Sequence, residues 1–382
     1  MYLFLITFIS IYGGMHYYVF FKLRSIFLPK PRQTWLLILW LVVMTLIPVF
    51  VRIAEQFGME QTALVIAWPG YLWMGFLFIF TSILLLTDIV NQFYHIIIRS
   101  FFKKLPESGY SGCVGKIALL VASVASVYAF FEAGHIKSEY VVIKSPKVPP
   151  SISRVRIVQI SDMHIGLLSQ EHRQRQILKK IRDAHPDIIV STGDLIDGKL
   201  NLDYGLPEHT SLATLLASIP APSGKFAVIG NHEVYAGLPQ ALTFTRAAGF
   251  KILRNQAIMF KNGITISGVD DRAAEKNPAA EPKIETAMLS TVSHTSFNIL
   301  LKHRPEILPA SAGLFDLQLS GHVHGGQIFP FNFLVKLRHQ IPCGTTLTEA
   351  GSLIHVSRGT GTWGPPMRLF APPEVTIIDV IP

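Results

Sequence analysis

Asp162-Met-His164, Gly193-Asp194, Gly230-Asn231-His232-Glu233, His303 and Gly321-His322-Val323-His324 are the residues of this chain whose types and spacing could do chemistry. They offer carboxylate or amide oxygens and imidazole nitrogens, with no thiolate among them. Such a donor set suits two hard-to-borderline divalent cations, Mn, Fe or Zn, without choosing among them. Two cations held close together polarise phosphoryl oxygens and lower the pKa of a water between them, so the chemistry expected is hydrolysis of a phosphate ester. Taken singly, each cluster has a bland reading. A lone Asp-x-His after a strand is more often a turn or a helix cap, and a Gly-Asp pair is an ordinary strand-end turn. The argument rests on their order and placement.

Short apolar runs precede the clusters: Ile157 to Ile160, Ile188 to Val190, Phe226 to Ile229, Phe297 to Leu301 and Leu317 to Leu319. Runs of this length, rich in β-branched residues and bounded by Gly and polar residues, read as buried strands. Each cluster therefore falls at the carboxyl end of a strand, where loops can converge on one crevice. Ser169 to Ala184 reads as an intervening helix with Ile177, Leu178 and Ile181 on one face. Alternating strands and helices imply an α/β domain with a layered sheet.

In that order, D-x-H, G-D-x-x-D (Gly193 to Asp197), G-N-H-E, a lone His after a strand and G-H-x-H resemble the calcineurin-like metallophosphoesterase superfamily, from about Val155 to the C-terminus. The resemblance implies a β-sheet sandwich flanked by helices. It also implies that Asp162, His164 and His324 hold one metal, that Asn231, His303 and His322 hold the other, and that Asp194 bridges the two. His232 would then stabilise the transition state or protonate the leaving oxygen. Asp197 or Glu233 would orient a ligand or catalytic imidazole from behind. Gly321 to Gln327, Lys302 to Pro305 and Ser357 to Gly361 look most like the membrane-associated bacterial branch, itself similar to the UDP-2,3-diacylglucosamine hydrolases of lipid A synthesis.

The first 136 residues are of another kind. Met1 to Phe21, Trp35 to Val51 and Ala63 to Thr87 carry no charge and are near bilayer-crossing length. Ile117 to Phe131, between Lys116 and Glu132, is the weakest candidate span. We expect an all-α transmembrane domain of about four helices over 1–136, a linker over 137–153, with Tyr140 to Ile143 a candidate edge strand, and the catalytic domain over 154–382. The connections Lys22 to Thr34 and Asn91 to Lys116 are basic, whereas the one between the second and third spans is not, so the positive-inside rule puts the first and third in the cytoplasm. Four spans would then place the catalytic domain outside the cytoplasm, on the cell (inner) membrane. An odd count would place it inside.

A formal charge of +9 does not make this a nucleic-acid binder. Residues 1–151 hold 12 Lys/Arg against 6 Asp/Glu, and the remainder holds 22 against 19, so most of the excess flanks the membrane segments. Cys113 and Cys343 form no disulfide framework. The partners expected are a lipid bilayer and a phosphorylated substrate, and no feature fixes an oligomeric state. Phe329, Phe331 and Phe333, followed by Lys336 and Arg338, either pack into the domain core or against the membrane helices, or line an acyl-chain path or dip into the interface while the two basic side chains meet anionic headgroups. Two functional classes stand at this point. One is a membrane-anchored phosphoesterase, of a phosphorylated lipid or of the UDP-diacylglucosamine type; the other is a non-catalytic sensor that binds a phosphorylated ligand.

Overall fold

The computed structural model describes residues 2–101, 112–198, 207–260, 263–275, 281–339, 341 and 343–382. The chain forms two compact units, residues 1–131 with 364–367, and residues 132–363 with 368–382.

The first unit is helical: α1 (Tyr2–Phe27), α2 (Pro31–Gln56), α3 (Glu60–Phe101) and α4 (Gly112–Ala133). Among the described residues three helical segments are long and apolar enough to cross a membrane by length and composition: α2, Glu60–Ile97 of α3, and α4. Trp35, Leu39, Val65, Leu120 and Val124 all point outward, more than half exposed. Helices that are apolar all round match hydrocarbon rather than water. The expected weakest span is one of the three, because the helix continues past Lys116 and Glu132 to 22 residues. Long charged side chains at helix ends reach polar surroundings without shortening the helix. The expected first span lies within α1 but is not among the three. The expected third connection is also shorter, since α3 runs on to Phe101; Lys103, Lys104 and Glu107 lie outside the described residues. At about 1.5 Å per residue, α3 is roughly twice as long as the hydrocarbon is thick. Polar contacts tie it to α1. Lys22 pairs with Asp88, Tyr18 donates to Asp88 at 2.7 Å, and the Trp73 indole donates to His16 at 2.9 Å.

The second unit opens with β1 (Lys137–Lys144), which pairs in parallel with β12 (Glu374–Ile381). Half of the expected linker is therefore a strand at a sheet edge. Val141 and Ile143 turn inward and Tyr140 and Val142 outward, as the period of two requires. With β2 (Val155–Ile160), β3 (Ile188–Ser191), β4 (Lys225–Ala227) and β5 (Lys251–Ile252), the first sheet has the order β1-β12-β2-β3-β4-β5. The second comprises β6 (Gln256–Met259), β7 (Ile264–Gly268), β8 (Phe297–Leu301), β9 (Leu317–Ser320), β10 (Gly344–Leu347) and β11 (Leu353–Val356), in the order β10-β11-β9-β8-β7-β6.

The sheets bury their facing sides together. Ile157, Ile188, Val190 and Ile378 of the first meet Ile266, Phe297, Ile299, Leu301 and Leu319 of the second. Alternate residues Val158, Ile160, Ile189 and Ile377 pack on the other face against α5 (Glu171–Asp183), α6 (Pro207–Ser218) and α7 (Asn231–Ala247), through Ile177, Leu178, Ile181, Leu216 and Phe244. Leu300 on the far side of the second sheet packs on Met288 and Leu289 of α8 (Glu281–Ser290). Each fully buried aliphatic side chain contributes about 1.5–3 kcal/mol. The result is the expected sandwich flanked by helices.

Candidate metal centre

The strands deliver the candidate ligands to one edge. Asp162 follows β2, Asp194 follows β3, and Asn231 opens α7 shortly after β4; these three strands are parallel neighbours. His303 follows β8, and His322 and His324 follow β9, again a parallel pair. Five of these residues have left-handed backbones: Asp162 (φ 52°), His164 (48°), Asp194 (52°), His322 (73°) and His324 (51°). Such conformations cost on the order of 1–3 kcal/mol each and persist where the surroundings over-determine them. Close backbone approach does so here. A Cβ on Gly193 would lie 2.7 Å from the Gly230 nitrogen and from His303 Nδ1, and one on Gly230 would collide with Asp194 Oδ1.

Two ligand groups result. In one, His164 Nε2 lies 3.0 Å from His324 Nε2, which lies 3.6 Å from Asp162 Oδ1. In the other, His303 Nε2 lies 3.1 Å from Asp194 Oδ2, 3.1 Å from His322 Nδ1 and 3.2 Å from Asn231 Oδ1. Asp194 Oδ2 also lies 4.0 Å from His164 Nε2, so it faces both groups. The structure thus brings together the two sets that the family resemblance implied.

The electrostatics fit a pair of cations. Burial pushes the Asp162 carboxyl up to about 6 and the His164 imidazole down to about 4. Burial likewise depresses His322 and His324, leaving neutral rings with lone pairs to give. Asp194 and His303 differ, because although burial opposes the charge on each, their mutual attraction outweighs it. Asp194 is held well below the usual carboxylate range, and His303 is raised to about 10. The buried carboxylates thus draw positive charge to this spot, as divalent cations would supply it. His303 Nδ1 lies 2.8 Å from the Thr192 carbonyl, which fixes the proton there and leaves Nε2 for ligation. His164 Nδ1 is buried without a hydrogen-bond partner, and its Nε2 lies 3.0 Å from His324 Nε2, so that one cation could take a lone pair from each ring.

His232 stands beside the ligands. Its backbone N–H donates to Asp194 Oδ1 at 2.8 Å, and its Nδ1 lies 3.0 Å from Asp197 Oδ1. Burial disfavours its charge, but the Asp197 hydrogen bond and the Asp194 charge prevail and raise its pKa. Asp197 is thus within hydrogen-bond reach of an imidazole. Glu233 lies against backbone instead. Its carboxylate accepts backbone N–H groups from Asp194 (2.9 Å), Leu195 (2.6 Å) and Gly230 (2.8 Å), so it pins the Asp194 loop rather than a ring.

Two arginines were not singled out by the sequence. Arg304, anchored by Asp271 at 2.7 Å, points Nη1 to within 2.9 Å of His322 Nε2 and Nη2 to within 3.4 Å of Asn231 Oδ1. It lies inside the Lys302 to Pro305 stretch, and its charge beside metal ligands was the available signal. Arg368 is fully buried; it donates to the carbonyl of His324 at 2.9 Å and sits 3.0 Å from its Nδ1. No motif contains it. Phe329, Phe331 and Phe333 are 39%, 46% and 55% exposed, so they do not pack into the core. The last two belong to α9 (Phe331–Arg338), which also exposes Leu334, Lys336, Leu337 and Arg338. Phe329 contacts both Phe333 and Phe370, with ring centroids 5.6 and 5.8 Å apart.

The profile of the family described as "Calcineurin-like phosphoesterase" matches residues 155–326. An uncharacterized metallophosphoesterase of Aquifex aeolicus (strain VF5) is 38% identical over 264 residues, 69% of this chain and 98% of that one. The uncharacterized metallophosphoesterase YkuE of Bacillus subtilis (strain 168) is 33% identical, over 74% of this chain and 96% of its own length. A transmembrane protein with metallophosphoesterase domain from Danio rerio is 28% identical, over 69% of this chain and 61% of its own. The chain belongs to the calcineurin-like metallophosphoesterase family and is a metal-dependent phosphoester hydrolase.

Proposed function

We propose that this chain is a membrane-anchored phosphoesterase that acts on a phosphorylated lipid at a bilayer surface. Asp162, His164 and His324 would hold one divalent cation, Asn231, His303 and His322 the other, and Asp194 both. Bound there, the two ions would polarise the phosphoryl oxygens and favour ionisation of an attacking water. The chain's own residues do the rest. Asp197 accepts the Nδ1–H of His232 and, with Asp194, favours the imidazolium form, whose Nε2–H protonates the departing oxygen as the bond to phosphorus breaks. Arg304 offers guanidinium N–H groups to a non-bridging oxygen. The oriented His232–Asp197 pair favours this reading over a sensor, because binding alone requires no acid.

The observation that carries the lipid reading is the exposed apolar surface of Phe329, Phe331, Phe333, Leu334 and Leu337 beside Lys336 and Arg338, a short way along the chain from His322 and His324. Apolar burial and attraction to anionic headgroups reinforce each other in such a surface. The tether supports it too, since α4 ends at Ala133 and β1 begins at Lys137. Replacing the three phenylalanines with Ser should impair hydrolysis of a long-chain phospholipid while sparing a small soluble ester. Equal losses on both would mean a folding defect and would remove the lipid reading, as would no loss on either.

For orientation, we infer four spans, α1 counted beside the three segments above because its 26 residues are apolar up to Lys22, in the cell (inner) membrane with the hydrolase outside the cytoplasm. A reporter active only outside the cytoplasm, fused after Pro382, should then be active. Activity of a cytoplasm-only reporter would instead favour the UDP-2,3-diacylglucosamine-type alternative, whose substrate is made inside the cell.

A further inference from the structure

His232 is flanked by two aromatic rings for which hydrolysis alone finds no task. Tyr235 lies one turn on in α7, its ring centroid 5.6 Å from that of His232 at an interplanar angle of 65°. Trp363 approaches from the C-terminal region at 5.8 Å and 73°. Both contacts are T-shaped, so much of each ring remains open. Tyr235 is 70% exposed and Trp363 45%. Rings recruited to steady an imidazole by packing would be covered, because burial is what makes an aromatic stabilising.

The main chain that carries each ring is also tied to the site. Gln327 Nε2 donates to the Trp363 carbonyl at 2.8 Å, and the Trp363 N–H donates to Gln327 Oε1 at 3.0 Å. Gln327 itself, at φ 50°, ends the short 3-10 helix His324–Gly326. Tyr235 lies in the second turn of α7, which begins with Asn231 and breaks at Gly237 (φ 109°). Each ring is thus referenced to a segment that carries a ligand.

We propose that Tyr235 and Trp363 frame a planar, π-rich ring on the leaving group, an aryl group or the nucleobase of a nucleotide-linked lipid, as it departs beside His232. This rests on the reading of His232 as the acid. Water oxygen bonds to phosphorus and releases one proton to solvent, from which His232 is later reprotonated, and the bond to the leaving oxygen breaks with its electron pair staying on that oxygen. The oxygen then takes the proton from His232, so whatever carries it must lie against the rings next to His232. A flat ring gains stacking there that a saturated ring of the same size does not.

Phenyl phosphate and cyclohexyl phosphate test this, with uridine 5′-phosphate to separate nucleobase from aryl. In the metal-loaded full chain, Trp363→Ala should lower kcat/KM roughly tenfold on the planar esters and clearly less on the cyclohexyl ester, the size expected when a stacking ring is removed. Tyr235→Ala should act in the same direction, and Trp363→Phe should restore most of the loss. A uniform loss on all esters would show that the rings merely position His232 and would overturn the proposal; so would no loss. Binding of phenylphosphonate against cyclohexylphosphonate gives a readout independent of turnover. The parent should prefer the phenyl compound and Trp363→Ala should not. A preference that persists in the variant, or is missing in the parent, overturns the frame. A preference that behaves as expected without turnover of any ester sinks the hydrolytic reading and leaves the frame standing.

Discussion

Asp197 Oδ1 lies 3.0 Å from His232 Nδ1, and this contact decides which nitrogen of the ring faces a substrate. Asp197→Ala frees the ring and should lower kcat about 10- to 100-fold, the usual cost of losing a group that orients an imidazole. His232→Asn should lower it at least as far. Elemental analysis of both variants should find the metal content of the parent. Loss of metal from His232→Asn would make it a ligand. Loss from Asp197→Ala would mean that Asp197 chiefly serves His164, whose Nδ1 is 3.8 Å from Oδ2.

Lys302, next to His303, is buried with its ammonium 2.8 Å from Glu285 Oε2 and 3.4 Å from Glu281 Oε1. Breaking a buried pair leaves a charge poorly compensated, here with only the more distant Glu281, so Glu285→Leu alone should cost about 3 kcal/mol of stability, the low end for a buried pair. The double variant Glu285→Leu with Lys302→Met should cost much less. Denaturant unfolding of the detergent-solubilised chain measures both, and equal losses in single and double variants would show that the pair is not coupled.

Arg156 on β2 and Asp379 on β12 are register partners joined by two hydrogen bonds of 2.7 Å. The bond to Arg156 holds the Asp379 carboxyl below its ordinary value. A carboxyl whose pKa is depressed by folding contributes stability above its unfolded pKa, and that contribution is lost as pH falls through the folded one. Asp379→Asn should therefore cost about 1 kcal/mol at pH 7, since the pair is partly solvated. The gap should close in acid, below the usual carboxylate range. A gap that stays constant with pH would mean that shape, not charge, is what the variant loses.

The sandwich was legible in the sequence because its strands are short apolar runs and its ligands sit just past their carboxyl ends. Both signals are local. β1 was harder, since its partner β12 lies at the other end of the chain and its alternation is interrupted by charge. The length of α4 was hidden by Lys116 and Glu132, which end the uncharged run without ending the helix. Glu233 had a local signature that was not used: a glutamate three residues after the Gly230 cap is placed to take up free N–H groups, as the structure shows. Arg368 and Trp363 left no such trace, because their partners His324 and His232 come from distant segments.

The account turns on two cations sharing Asp194, so the most direct test is metal stoichiometry together with rate. Purified in Mn, Fe or Zn, the chain should hold two divalent ions and lose activity on chelation. Asp194→Asn should lose both metal and rate, while His172→Ala, at an exposed helix position outside every motif, should keep both. One ion or none in the saturated parent, or an Asp194→Asn variant with its full metal content and rate, would contradict it.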